Sequence, residues 1–231
     1  MNGDIGNCIP EQVSEDAVFV IGAGHFGSRA ANILSSERGP TVIVVDRDRI
    51  RLSQLHGLPI ERILQDGVLF LVENFHLLHP TNIIIPAVPV NLAYEWLRRY
   101  VEGRYLVRRI DMPEGVTPLL PHVWPGSEGS LLVSYADFVC PDDCPEPESC
   151  TVTGEPRDKP LYQLLGDLDV DDFRVHIIRS HQIAPGLGGY GVAALNHAME
   201  RLTTGETGKW ILGTSCRCHG ILTSLEIQEA L

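Results

Sequence analysis

The chain has 231 residues, 44% apolar and 21% charged, the composition of an ordinary globular protein able to bury one large core or two small ones. Eighteen Lys and Arg against 30 Asp and Glu give a net charge of −12, which excludes the basic footprint that phosphate neutralisation on nucleic acid demands. With no apolar run of about 20 residues and no basic-then-apolar leader, a cytoplasmic protein without a membrane span is expected, its six cysteines acting as ligands or redox groups rather than as a disulfide framework.

After a polar leader, Ala17-Val18-Phe19-Val20-Ile21 is a continuous apolar run of the kind a buried parallel strand shows. Gly22-Ala23-Gly24-His25-Phe26-Gly27 follows and opens a helix to Leu34, with Phe26, Ala30, Ile33 and Leu34 on one face. Thr41 to Asp46 is a second strand, β-branched and closed by an acid, so the segment is a βαβ unit. Arg47 to Leu55 could start a helix, Val68 to Val72 is expected as a strand, and Asn82 to Pro86 as another. An amphipathic helix over Val90 to Val101 and a strand over Tyr105 to Ile110 complete this half. The alternation persists to about residue 112, which divides the chain into a Rossmann domain, 1–112, and a Cys-rich α/β domain, 113–231.

In the second part, 113–129 reads as loop, and Leu131 to Val139 as a strand stopping at Cys140. Residues 141–160 hold five prolines and are irregular unless something pins them. A strand over Phe173 to Ile178, a helix over Tyr190 to Leu202 and a strand over Trp210 to Leu212, ending just before Cys216, follow. The fold class is therefore α/β: a Rossmann-like parallel sheet with a smaller Cys-rich C-terminal α/β part.

The glycine turn has the chemistry of a pyrophosphate seat. Its first glycine permits the tight turn, the second lets phosphates approach the backbone, and the third lets helix pack on strand. Asp46, 19 residues after Gly27, stands where an acid bonds the adenine ribose hydroxyls. Gly22, Gly24, His25, Phe26, Gly27, Asp46 and Arg47 form the expected cofactor-binding set. The carboxylate favours NAD, while Arg47 and Arg49 keep NADP open. An empty Rossmann-like pocket, or one for another anion, is the alternative.

Val18 to Asp46 resembles the nucleotide-binding half of the TrkA-N (RCK) domains of potassium-transport regulators, and Asp46-Arg47-Asp48-Arg49-Ile50 resembles their acid-basic-acid continuation. Ile83 to Pro89 and the following helix are also similar to saccharopine-dehydrogenase-like Rossmann proteins. The resemblance spans roughly the first 110 residues. It implies that Gly22, Gly24, Gly27 and Asp46 carry the nucleotide, and it implies a sensor with a membrane transporter as partner. It assigns no catalytic residue. The Gly-Asp segment usual in TrkA-N domains is not found, and the cysteine-rich half matches neither family.

Cys140-x3-Cys144-x5-Cys150 and Cys216-x-Cys218-His219 are the second signal. Thiolates bind zinc or iron, and short spacings let one loop present several. Each cluster follows an expected strand; if those strands are parallel neighbours, both clusters emerge at the same sheet edge, four thiolates can converge, and zinc or an iron–sulfur cluster would order 141–160. The spacings match neither ferredoxin pattern, and five cysteines plus His219 exceed the four ligands of a structural zinc. A disulfide or redox switch and unlinked thiols remain alternatives. Cys8 is a spare in the leader.

Ser180-His181-Gln182 before the glycine-rich Pro185 to Gly191 offers a further anion seat, with His181 as candidate acid–base; a surface histidine on a loop is the alternative. Two functions follow: an NAD(H)-binding regulatory or sensor protein, with a homodimer among its expected partners, or an NAD(P)-dependent oxidoreductase passing hydride or electrons to a substrate or cluster.

Overall fold

The computed structural model describes residues 5–6, 9, 13–36, 39–204 and 208–230. Cys8 lies outside the described residues. In chain order come β1 (Ile5–Gly6), β2 (Val18–Ile21), α1 (His25–Leu34), β3 (Val42–Asp46), α2 (Arg49–Ser53), β4 (Glu61–Leu64), α3 (Gly67–Asn74) and β5 (Ile83–Pro86). Next are α4 (Leu92–Tyr100), β6 (Tyr105–Arg109), β7 (His122–Pro125), β8 (Leu131–Ser134), α5 (Leu161–Gly166), β9 (Phe173–Arg179) and β10 (His181–Ala184). The last elements are β11 (Leu187–Gly191), α6 (Val192–Thr203), β12 (Gly208–Ser215) and β13 (His219–Glu229). Two compact units result: one of residues 1–88 and 187–194, the other of 89–186 and 195–231.

In the first unit the strands order β1-β4-β3-β2-β5-β11. The first five are parallel and β11 runs antiparallel to β5. Val18 pairs with Val42 on one side and Ile83 on the other, so β2 and β3 are buried on both faces, as their unbroken apolar runs require. The chain leaves β2 toward β3 on one side and later returns as β5 on the other. That reversal places a topological switch point at the end of β2, where the glycine turn stands.

Helix α1 buries Gly27, Ala30 and Ala31, whereas Phe26 and Ile33 are exposed, which corrects the expected apolar face. Close packing at Gly27 admits only small side chains against the sheet. Val68 to Val72 is also corrected, from strand to helix: Asp66 accepts hydrogen bonds from the N–H groups of Val68 (3.1 Å) and Leu69 (3.0 Å) and caps α3. An apolar run without alternation does not distinguish the two by periodicity.

The second unit is built on a mixed sheet ordered β7-β8-β13-β12-β9, with β6 pairing the far end of β13. Neither β7, inside the expected loop 113–129, nor the 11-residue β13 was signalled by its sequence. Val116, Leu120, Val133, Leu161, Leu165, Ile211 and Leu222 form a core on this sheet. Asn91 is fully buried. Its amide donates to the Leu212 carbonyl and the Thr223 hydroxyl, each at 3.0 Å, while its oxygen caps α4 at Tyr94.

Candidate functional site

In the first unit, Gly22 has φ +106°, and a Cβ there would meet the Ala87 carbonyl oxygen at 2.5 Å. A Cβ at Gly27 would fall 1.8 Å from the Gly22 oxygen. Both positions require glycine for the fold itself. Gly24 differs: it has no positive φ, and the nearest heavy atom to a Cβ there is Arg51 Nη1 at 3.7 Å. It is the N-cap of α1 and supplies no side chain to the first-turn N–H groups.

Asp46 is buried at the end of β3. Its Oδ2 accepts from Ala23 N at 2.6 Å and its Oδ1 from Asp48 N at 2.7 Å. The carboxylate thus ties the glycine turn to the second strand, while each oxygen keeps a further lone pair. His25 and Phe26 are exposed at the start of α1, with rings edge-to-face at 5.0 Å, and Arg47 is exposed. The residue missed in the sequence is Arg51. Its signal was available in Asp48, an acid three residues ahead of an arginine, which caps α2 and pairs with Arg51 Nε at 3.5 Å.

In the second unit, β8 and β12 are parallel but are not neighbours, since β13 lies between them and runs antiparallel to both. β8 ends at Ser134 rather than running to Val139, and a loop carries the chain on to Cys140. The two cysteine segments still emerge at one sheet end. Cys140 Sγ lies 3.5 Å from His219 Nε2, and Cys216 Sγ 3.9 Å from His219 Nδ1. Tyr135 N donates to the Cys218 carbonyl at 3.0 Å and Leu161 N to that of Arg217 at 2.7 Å. The Cys144 carbonyl receives Gly186 N at 2.9 Å and the Gln182 amide at 3.0 Å. Ser149 bridges Pro156, so backbone hydrogen bonds pin the segment whose sequence looked irregular.

The five clustered cysteines, Cys140, Cys144, Cys150, Cys216 and Cys218, are free and half-buried. Cys150 accepts the N–H groups of Thr153 and Val152, which lower its thiol to about 7. Cys216 likewise accepts from Cys218 N and from His219 N at 3.4 Å, but burial, then Glu146, pushes it up to about 12. Burial, then Glu146, raises Cys218 to about 11; burial, then the Cys144 and Cys150 thiols, raises Cys140; burial lowers His219. Among the described residues, no three His, Cys, Asp or Glu side chains stand as a group that could hold a metal ion.

His181 is exposed at the start of β10. Leu187 to Gly191 is a strand rather than a glycine-rich turn, so the anion seat expected ahead of α6 does not form.

Residues 93–228 match the family AF_1314_C, described as "Uncharacterized protein, C-terminal domain". The chain belongs to this family. The AF_1314_C match contains all five clustered cysteines, His181 and His219. Ahead of it, residues 18–68 match the TrkA-N domain, a stretch that holds the glycine turn, Asp46 and Arg51. TrkA-N domains generally bind NAD(H). A protein of Archaeoglobus fulgidus described as "Uncharacterized protein" is 28% identical over 218 residues, covering 90% of this chain and 98% of the relative. No solved structure matches. No helix among the described residues is long and apolar enough to cross a membrane.

Proposed function

We propose that the chain is an NAD(H)-binding regulatory protein, with the dinucleotide held at the glycine turn of the first unit. The observation that carries this reading is the division of labour among the three glycines. Gly22 and Gly27 are demanded by packing, whereas Gly24 leaves open the space its Cβ would occupy, at the N-terminus of α1 and the switch point of the sheet. Asp46 is the acid for the ribose hydroxyls through its remaining lone pairs, which favours NAD over NADP. By the TrkA-N resemblance, the bound nucleotide shifts a conformational equilibrium, and the partner class is a potassium transporter. Calorimetric titration of the full chain with NADH tests the site: wild type binds, and Gly24→Val, which fills the seat, abolishes binding. Equal affinities would sink the assignment.

A second reading, an oxidoreductase, is favoured by the approach of Cys140 Sγ and Cys216 Sγ to His219, with Cys144, Cys150 and Cys218 carried on the same two segments. The donor set suits a soft cation, zinc or an iron–sulfur cluster. Zinc ligands at about 2.3 Å for sulfur and 2.0–2.1 Å for nitrogen lie about 3.6 Å apart across a tetrahedral edge, close to the 3.5 Å between Cys140 and His219. Cys150 and Cys216 each accept the N–H groups two and three residues ahead; at Cys150 this arrangement favours the thiolate, whereas at Cys216 burial and Glu146 outweigh it. Binding would draw the remaining side chains inward. Metal analysis and a visible spectrum after anaerobic purification decide it: a brown protein absorbing broadly supports electron transfer, and a colourless zinc protein supports a structural site. Absence of both metals, with unchanged stability in Cys140→Ser/Cys216→Ser, overturns the metal.

A further inference from the structure

We propose that Arg51 is the cation that receives the pyrophosphate of the bound dinucleotide, an inference that rests on the dinucleotide reading of the glycine turn. The turn supplies partial positive charge through the end of α1, but it contains no cationic side chain of its own apart from a histidine. Arg51 reaches it from α2. Apart from chain neighbours, no other described residue comes within 4 Å of the position a Gly24 Cβ would take, and the guanidinium nitrogen Nη1 stands at 3.7 Å. A phosphate seated over Gly24 therefore meets this group as the nearest side chain from outside the turn.

The arm is positioned from its base. Asp48 caps α2 by accepting from Ile50 N (2.8 Å) and Arg51 N (3.3 Å), and its other oxygen lies 3.5 Å from Arg51 Nε. That ion pair is largely exposed, so it orients the side chain more than it stabilises the fold. It engages Nε and leaves the two terminal nitrogens, the fork that matches a pair of phosphate oxygens. Asp46 reaches the same turn from the end of β3, committed to the backbone of Ala23 and Asp48. The two residues divide the work: the carboxylate serves the ribose end and repels a 2′-phosphate, and the guanidinium serves the pyrophosphate, which NAD and NADP share. Arg51 thus sets affinity for both dinucleotides without choosing between them.

The test is titration of wild type, Arg51→Gln and Arg51→Lys with NADH, NADPH and inorganic pyrophosphate, at low and high salt. Arg51→Gln is expected to weaken NADH about tenfold or more, the effect of losing a hydrogen bond between charged groups. Pyrophosphate binding should fall with it, NADPH by the same factor, and the salt dependence should flatten. Arg51→Lys should recover part of the loss. Because Arg51 is exposed, an unchanged urea midpoint separates this from misfolding. Unaltered NADH and pyrophosphate affinities in Arg51→Gln overturn the proposal, as does a loss confined to NADPH, which would place Arg51 on a 2′-phosphate. Wild type that binds pyrophosphate in an Arg51-dependent way but no dinucleotide would retain the anion seat and retire the dinucleotide reading. Wild type that binds none of the three ends both.

Discussion

The two units carry their candidate sites in opposite ways. At the glycine turn the backbone dictates two of the three glycines: a Cβ at Gly22 or Gly27 would strike a carbonyl oxygen, so those two positions are fixed by the fold before any ligand is considered. In the cysteine segments the backbone is satisfied by hydrogen bonds that any residue could make, from Tyr135 to Cys218 and from Gly186 to Cys144. Nothing in that scaffolding explains why the side chains are thiols. Sterics account for Gly22 and Gly27 at the first site and leave Gly24 to a ligand; only chemistry at sulfur accounts for the thiols of the second.

That contrast can be broken most directly at the glycines. Gly27→Ala should cost more than about 3 kcal/mol, because the added carbon falls on a backbone oxygen that cannot rotate away; urea unfolding measures it. The counterpart in the second unit is Gly186, with φ +73° and a Cβ that would stand 1.6 Å from the Asp142 carbonyl oxygen. Gly186→Ala should cost about 2–4 kcal/mol and displace the cysteine loop held through Cys144. If Gly186→Ala is tolerated, the loop is not built around that close approach.

The first site was legible because strand, turn, helix and acid follow one another along the chain, and each leaves a local mark. Asp46 was placed correctly at the end of its strand, although its engagement with Ala23 and Asp48 is a tertiary fact. Arg51 was passed over because its approach to Gly24 depends on where α2 packs. The second site was half legible. Spacing flagged the cysteines, but the approach of Cys140 and Cys216 to His219 depends on β13, whose His219 to Glu229 pairs with β12, β8 and β6 in turn and shows no clean alternation. The glycines of 187–191 misled for a related reason. Gly189 allows close approach to Ile84 in a packed strand, where a Cβ would meet its carbonyl oxygen at 2.9 Å, and composition alone made it look like a turn.

Smaller effects sharpen the comparison. His176, buried in β9 beside His197 and Arg201, is lowered to about 4, by burial first. Since the unfolded chain binds this proton at higher pH, its contribution is present above about 6.5, falls as pH drops toward 4, and is gone below. The full shift corresponds to about 3 kcal/mol, and the ring's residual solvent contact reduces the expected loss to about 2 kcal/mol. A pH series of urea midpoints should show it, and His176→Gln should flatten it. In the first unit, Asp66→Ala removes the α3 cap and should cost about 1 kcal/mol by the same measurement.

Gly24→Ala has the smallest expected effect on stability. Its Cβ makes an ordinary contact with one flexible guanidinium nitrogen, and its backbone angle suits any residue. The remaining penalty is that of alanine as a helix N-cap, about 0.5 kcal/mol relative to glycine. The same methyl stands over the proposed phosphate seat, so NADH affinity should fall while the urea midpoint barely moves. A midpoint loss as large as that of Gly27→Ala would show that all three glycines serve packing alone, and the steric argument would then cover the whole motif and leave no position reserved for a ligand.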